Sequence, residues 1–186
     1  VNTPLFTGRG ESRIAPHQTF AEYLAASWLV DRDLPFAQLV SLLVDALDPQ
    51  RKVVPQLRQV TAWLAAMRVD VFDAVVRREP EIVLWSDVVQ VPVTRRPALV
   101  AALLDAADRN RLDLPERSIT DRLARLEHPE LAAQLSHVVT NRDWSDRARD
   151  LALDIAYGCR LSSLGQAAAA IALDHTESLG LRVEAA

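Results

Sequence analysis

The residues able to do chemistry are few and poorly grouped. The histidines are His17, His128, His137 and His175, and none sits in a His-Glu-x-x-His arrangement. His128 and His137 are separated by Pro129, so the pair reads as a helix boundary rather than a metal site. Asp70 with Asp73, and Asp143 with Asp146, fall at expected helix starts, where carboxylates satisfy orphan amides and the helix dipole. Cys159 follows Tyr157-Gly158 in an apolar stretch and reads as a small core filler. There is no Gly-x-x-x-x-Gly-Lys-Ser/Thr loop, and Lys52 is the only lysine, so no local phosphate cradle is written here. Ser-His-Asp groupings assemble in space and leave no local signature in this chain. No catalytic residue and no metal ligand is assigned.

Two arginine pairs remain, Arg77-Arg78 and Arg95-Arg96, flanking a connector that runs from Trp85 to Val93. One reading makes them solvated helix ends, the first pair favoured by a C-terminal dipole. The other makes them, with Trp85, a surface that contacts a partner or a phosphate. Trp28, Trp63 and Trp144 are expected in the core, and Trp85, at a helix end, at the surface.

The elements that would position these groups are helices. Thr19-Phe20-Ala21-Glu22 is a capping box, followed by Phe20, Tyr23, Leu24 and Trp28 on one face. Before it, Gly8-Arg9-Gly10 inside residues 5–14 signals a small β-hairpin. Asp31-Arg32-Asp33 breaks the pattern and Pro35 restarts it. Stripes then run through Phe36, Leu39, Val40, Leu43 and Leu47, through Leu57, Val60, Trp63, Leu64 and Met67, and through a short helix from Val71 to Arg78. Glu79-Pro80 opens another short helix ending at Trp85. Thr94 is expected to cap a helix carrying Leu99, Val100, Leu103 and Leu104. Leu123 and Leu126, then Leu131, Leu135, Val138 and Val139, give two more. Asp143 is expected to start a helix that Gly158 ends, and Leu161, Leu164, Ala168 and Ile171 give the next. The sum is roughly ten helices of about 8 to 16 residues with short connectors, as in antiparallel pairs.

A repeat runs beneath this pattern. Leu57-Arg58-Gln59-Val60, Ala148-Arg149-Asp150-Leu151 and Leu181-Arg182-Val183-Glu184 share an apolar-Arg-x start, and the last two lie 33 residues apart. That interval suits stacked helix pairs. The predicted fold is all-α, an irregular HEAT-like α/α superhelix with a small N-terminal hairpin.

Bulk properties narrow the function. The 186 residues carry a net charge of -4, which offers nucleic acid and anionic membranes no overall attraction. No apolar run reaches the roughly 18 residues of a membrane helix. One cysteine permits no intrachain disulfide, which suits a reducing cytoplasmic setting. Val1-Asn2-Thr3-Pro4 has neither an initiator methionine nor a signal peptide, and Leu181 to Ala186 reads as a helix in mid-course. Both ends are expected to be points within a longer protein.

The segment Ile14-Ala15-Pro16-His17-Gln18-Thr19-Phe20-Ala21-Glu22-Tyr23-Leu24-Ala25-Ala26 resembles the motif closing the winged-helix region of NACHT-type signal-transduction ATPases. That STAND class includes the NOD-like receptors. The shared features are His17, Thr19-Phe20, Glu22, Tyr23 and Ala25-Ala26, and the segment departs at Ile14-Ala15-Pro16, where an aromatic is commoner. The stretch around Trp63 is similar to the helical repeats that follow this motif in bacterial members. The resemblance implies a winged-helix remnant over residues 1–31 and HEAT-like repeats over 32–186. It also implies a P-loop ATPase domain in the parent protein, binding ADP or ATP with Mg, with His17 touching the ADP phosphates in a closed state. The repeats would act as sensor or autoinhibitory scaffold toward a protein partner or neighbouring domains, in a setting such as antiviral defence. Rival expectations are a self-contained helical-repeat adaptor and an all-α enzyme with a cavity inside the curved array.

Overall fold

The computed structural model describes residues 18–85, 91–112, 114 and 120–186, with Trp85 and Thr120 described by backbone alone. The protein is all-α. Eleven α-helices are described: α1 Gln18–Asp31, α2 Phe36–Leu43, α3 Arg58–Met67, α4 Val69–Arg78, α5 Ile82–Trp85, α6 Arg96–Asp108, α7 Thr120–Leu123, α8 Leu131–Thr140, α9 Asp146–Gly158, α10 Gly165–Leu173 and α11 Leu179–Glu184. Short 3-10 turns lead into α3, α6 and α10, and another follows α7. No strand occurs among the described residues, where the one β-type pairing is the isolated bridge between Val44 and Val53. The hairpin expected over residues 5–14 lies outside the described residues. The chain divides into two compact units, one running to Arg78 and one from Glu79 to Ala186.

In the first unit α3 packs against α1 and α4. Val60, Ala62, Leu64 and Ala65 of α3 are buried, as are Val71, Phe72, Val75 and Val76 of α4. The aromatic face of α1 does not form the core expected of it: Phe20, Tyr23, Leu24 and Trp28 are exposed, and Ala26 alone is buried. The alanine permits close approach to α3, and the rings are left flanking that contact. Tyr23 meets Trp63 edge-on with centroids 5.1 Å apart, and the Arg32 guanidinium lies 4.9 Å over Trp28. Such contacts shield rings from water without enclosing them.

Several helix ends fall elsewhere than the pattern suggests. The described α1 already includes Gln18, which reaches Glu22 along the helix at 2.8 Å, so Thr19 lies within the helix. The second stripe stops at Leu43, because Val44 turns extended to pair with Val53, and Leu47 is left 92% exposed. Thr94 sits within a 3-10 turn, and α6 starts instead with Pro97 in its first turn and no side-chain cap.

The second unit is built around α9, which packs against α6, α7, α8 and α11, while α10 packs against α8 and α11. The expected stripes are its core: Leu99, Val100, Leu103 and Leu104, then Leu123, Leu126, Leu131, Leu135, Val138 and Val139 are all buried. Helix α9 starts at Asp146 rather than Asp143, because Ser145 caps it by accepting from the Ala148 amide. Gly158 is its last residue, and the left-handed position is taken by Arg160, at φ 54°. There the Arg160 amide donates to the Tyr157 carbonyl and the Leu161 amide to the Ala156 carbonyl, a Schellman closure. The same closure ends α6, with Asn110 left-handed at φ 53°.

Candidate functional site

Two corners of the second unit, between α8 and α9 and between α10 and α11, are the same object written twice. The Asn141 amide bonds the Val138 carbonyl, and the Asp174 amide the Ile171 carbonyl. Asn141 Oδ1 accepts from the Asp143 amide at 2.9 Å, and Asp174 Oδ1 from the Thr176 amide at 2.9 Å. Ser145 caps through Ala148 and Ser178 through Leu181, each at 3.3 Å. Arg149 Nε donates to the Val139 carbonyl at 3.1 Å, and Arg182 Nε to the Ala172 carbonyl at 3.2 Å. Every partner in one corner lies 33 positions from its counterpart in the other. An Asx turn, a serine cap and an arginine gripping the end of the preceding helix thus define the unit.

Neighbouring corners are tied together by charge. The Arg149 guanidinium makes a bidentate pair with Glu177, at 2.8 and 3.0 Å, with the two side chains only 3% and 9% exposed. The hydrogen bonds from Arg149 hold the Glu177 carboxyl below its usual range, and those from Glu177 hold the guanidinium proton tighter. Arg142 adds contacts to Asp174 at 2.7 Å and to Glu177 at 3.1 Å from a side chain 58% exposed. On the other flank the Ser145 amide donates to Asp108 Oδ1 at 2.8 Å, and Arg147 reaches Asn110 Oδ1. These bonds run from the end of α6 and the turn after it, through the α8–α9 corner, to the α10–α11 corner.

The residues singled out in the sequence fare differently. Arg77 and Arg78 lie exposed in the last turn of α4, at the end of the first unit. Arg95 and Arg96 belong to the second unit and are half-buried, so the four do not belong to one unit. Arg96 donates to the carbonyls of Val91, at 3.0 Å, and of Glu127, which employs it in joining two segments. His17 and the Trp85 side chain lie outside the described residues. His128 is buried at a helix boundary, with Nδ1 at 2.8 Å from the Leu126 carbonyl and Nε2 facing Gln134 Oε1. Of the three tryptophans expected in the core, Trp28 is 54% exposed, while Trp63 and Trp144 are half-buried. Cys159 is half-buried with Sγ at 3.3 Å from the Leu123 carbonyl, and burial pushes its thiol up to about 11.

Two further features are chemically uneven. Asp150 and Asp154 lie one turn apart on α9. Burial, then the hydrogen bond and charge of Glu184, then the charge of Asp150, push the Asp154 carboxyl up to about 7. Beside them opens a groove of about 560 Å³, lined by Leu153, Tyr157, Leu164, Ala168 and Glu184 among others. Its size is that of a small-ligand pocket, but its wall is chiefly aliphatic. No group of three potential metal-binding side chains occurs among the described residues.

No protein family, curated protein or solved structure matches the chain. No helix described is long and apolar enough to cross a membrane. The residues that sequence reasoning missed are Arg142, Arg147 and Glu177. The arginine at 149 was visible through its echo at 182, but its partner lies 28 positions on, beyond any helical period.

Proposed function

We propose that the chain is a non-catalytic helical-repeat scaffold, a HEAT-like sensor segment of a larger NACHT/STAND-type signalling ATPase. It works by contact with a protein partner or with neighbouring domains of its own chain, in sensing or autoinhibition. The observation that carries the scaffold reading is the pair of equivalent corners, in which arginine, serine and carboxylate are spent on joining helix pairs. Solenoids use their side chains in this way, each repeat contacting its neighbours and leaving extended faces for binding. The resemblance at residues 14–26 supports the parent class, in which ADP or ATP with Mg would bind an upstream P-loop domain and His17 would contact the phosphates. A cytoplasmic setting and a role such as antiviral defence belong to the same reading.

Calorimetry with ADP and Mg tests it. The chain alone is expected to give no binding heat. A protein carrying this chain behind its ATPase domain is expected to bind ADP and to lose roughly tenfold or more on His17→Ala, as for one charge-assisted hydrogen bond. Tight ADP binding by the chain alone would contradict the scaffold reading. The equivalent corners alone equally favour a self-contained HEAT-like adaptor, which would have no P-loop segment ahead of Val1.

A further inference from the structure

Arg149 and Arg182 are equivalent except in the bidentate pair that Arg149 makes. Both grip a carbonyl at the end of the preceding helix through Nε. Arg149 then places its two Nη groups on Glu177, the residue directly before the serine that caps the next helix. Among the described residues the Arg182 guanidinium has only the Ala172 carbonyl, and the residue is half-buried. Val183, next to Arg182 on α11, and Leu173, next to the Ala172 carbonyl that Arg182 grips, are exposed to solvent at 67% and 77%. Exposed apolar side chains beside an arginine with unfilled donors suit a docking face.

We infer that this face, formed by Arg182 with the exposed Leu173 and Val183, takes a further helical hairpin of the same 33-residue pattern, whose carboxylate directly before a serine-capped helix pairs with Arg182. The inference rests on the helical-repeat reading above. Its occupant is set by charge complementarity, since the interface between the two equivalent corners shows what an arginine in this setting receives. An arriving carboxylate would complete a bidentate pair, and an arriving helix would cover the aliphatic side chains that now face water.

The test appends a copy of residues 154–186 to the full chain, placing one more repeat at the same spacing. The extended protein is expected to unfold at higher urea, with an m-value grown in proportion to the added length. Amides of α11 are expected to exchange at least tenfold more slowly. Glu177→Gln made in the appended copy only, or Arg182→Ala, is expected to abolish most of both gains, with the double change adding little further. An unchanged midpoint with an unprotected extension would overturn the inference. So would a gain that both substitutions leave intact. Dimerisation of the unextended chain that Arg182→Ala abolishes would likewise overturn it, by assigning the face to a second copy. ADP binding by the chain would undo the scaffold reading and leave these outcomes unaffected.

Discussion

In each unit an arginine reaches a carbonyl and makes a bidentate pair with a carboxylate, and the two differ in what they join. In the first unit Arg68, just past α3, pairs with Asp70 at 3.0 and 2.6 Å and donates to the Leu34 carbonyl at 2.7 Å. Its carboxylate is two positions away and 40% exposed, and the hydrogen bonds from Arg68 hold Asp70 below its ordinary range. In the second unit Arg149 joins residues 28 positions apart, and both side chains are nearly closed to solvent. A local, wet pair trims one corner and gains little Coulomb energy, because water screens it. A dry, distant pair is costly to build and still costlier to leave half-built, so it fixes one repeat on the next.

The largest effect should come from breaking the dry pair. Arg149→Ala leaves Glu177 charged and enclosed and is expected to cost about 3–5 kcal/mol in urea unfolding. Arg68→Ala should cost about 1 kcal/mol, through the lost carbonyl bond more than the ion pair. Equal costs would dissolve the contrast between the units. Arg142→Ala removes the exposed partner of Glu177 and should cost below ~1 kcal/mol, which separates burial from mere contact with the same carboxylate.

The acidic turn of α9 sharpens the contrast through pH. Asp154 keeps its proton up to about 7 when folded and loses it near 4 when unfolded, so the folded state binds more protons between those values. Stability is therefore expected to fall as pH rises from 5 to 8, and Asp154→Asn to flatten that slope. Below the ordinary carboxylate range the sign reverses, because Glu177, Asp70 and Asp174 are held down in the fold and their contribution is lost on protonation. Thermal melts across the range, with and without Asp154→Asn, check both limbs. The smallest effect is a gain: Arg160→Gly relieves a left-handed arginine and should add about 0.5 kcal/mol, net of glycine's entropy.

The sequence carries the core of the second unit legibly, because Leu99 to Leu104 and Leu131 to Val139 bury a full helical face. It misleads at α1, where Phe20, Tyr23 and Trp28 follow the same period yet stay exposed around the small contact made by Ala26. Period reports which residues share a face, and not how closely that face is approached. The start of α9 differs for another reason: the sequence reading begins the helix at Asp143, whereas in the fold Asn141 accepts from the Asp143 amide in a turn and Ser145 caps the helix. The 33-residue echo of Arg149 in Arg182 pointed to the corners. What those arginines hold required the neighbouring loop in place.

Cys159, the sole cysteine, keeps its proton well past neutrality with its sulfur turned to the Leu123 carbonyl. A thiolate is the species that alkylating reagents attack, so this thiol should react sluggishly at pH 7. A fluorophore could then be installed at a newly introduced surface thiol, for instance through Arg77→Cys on α4, without first deleting the native one.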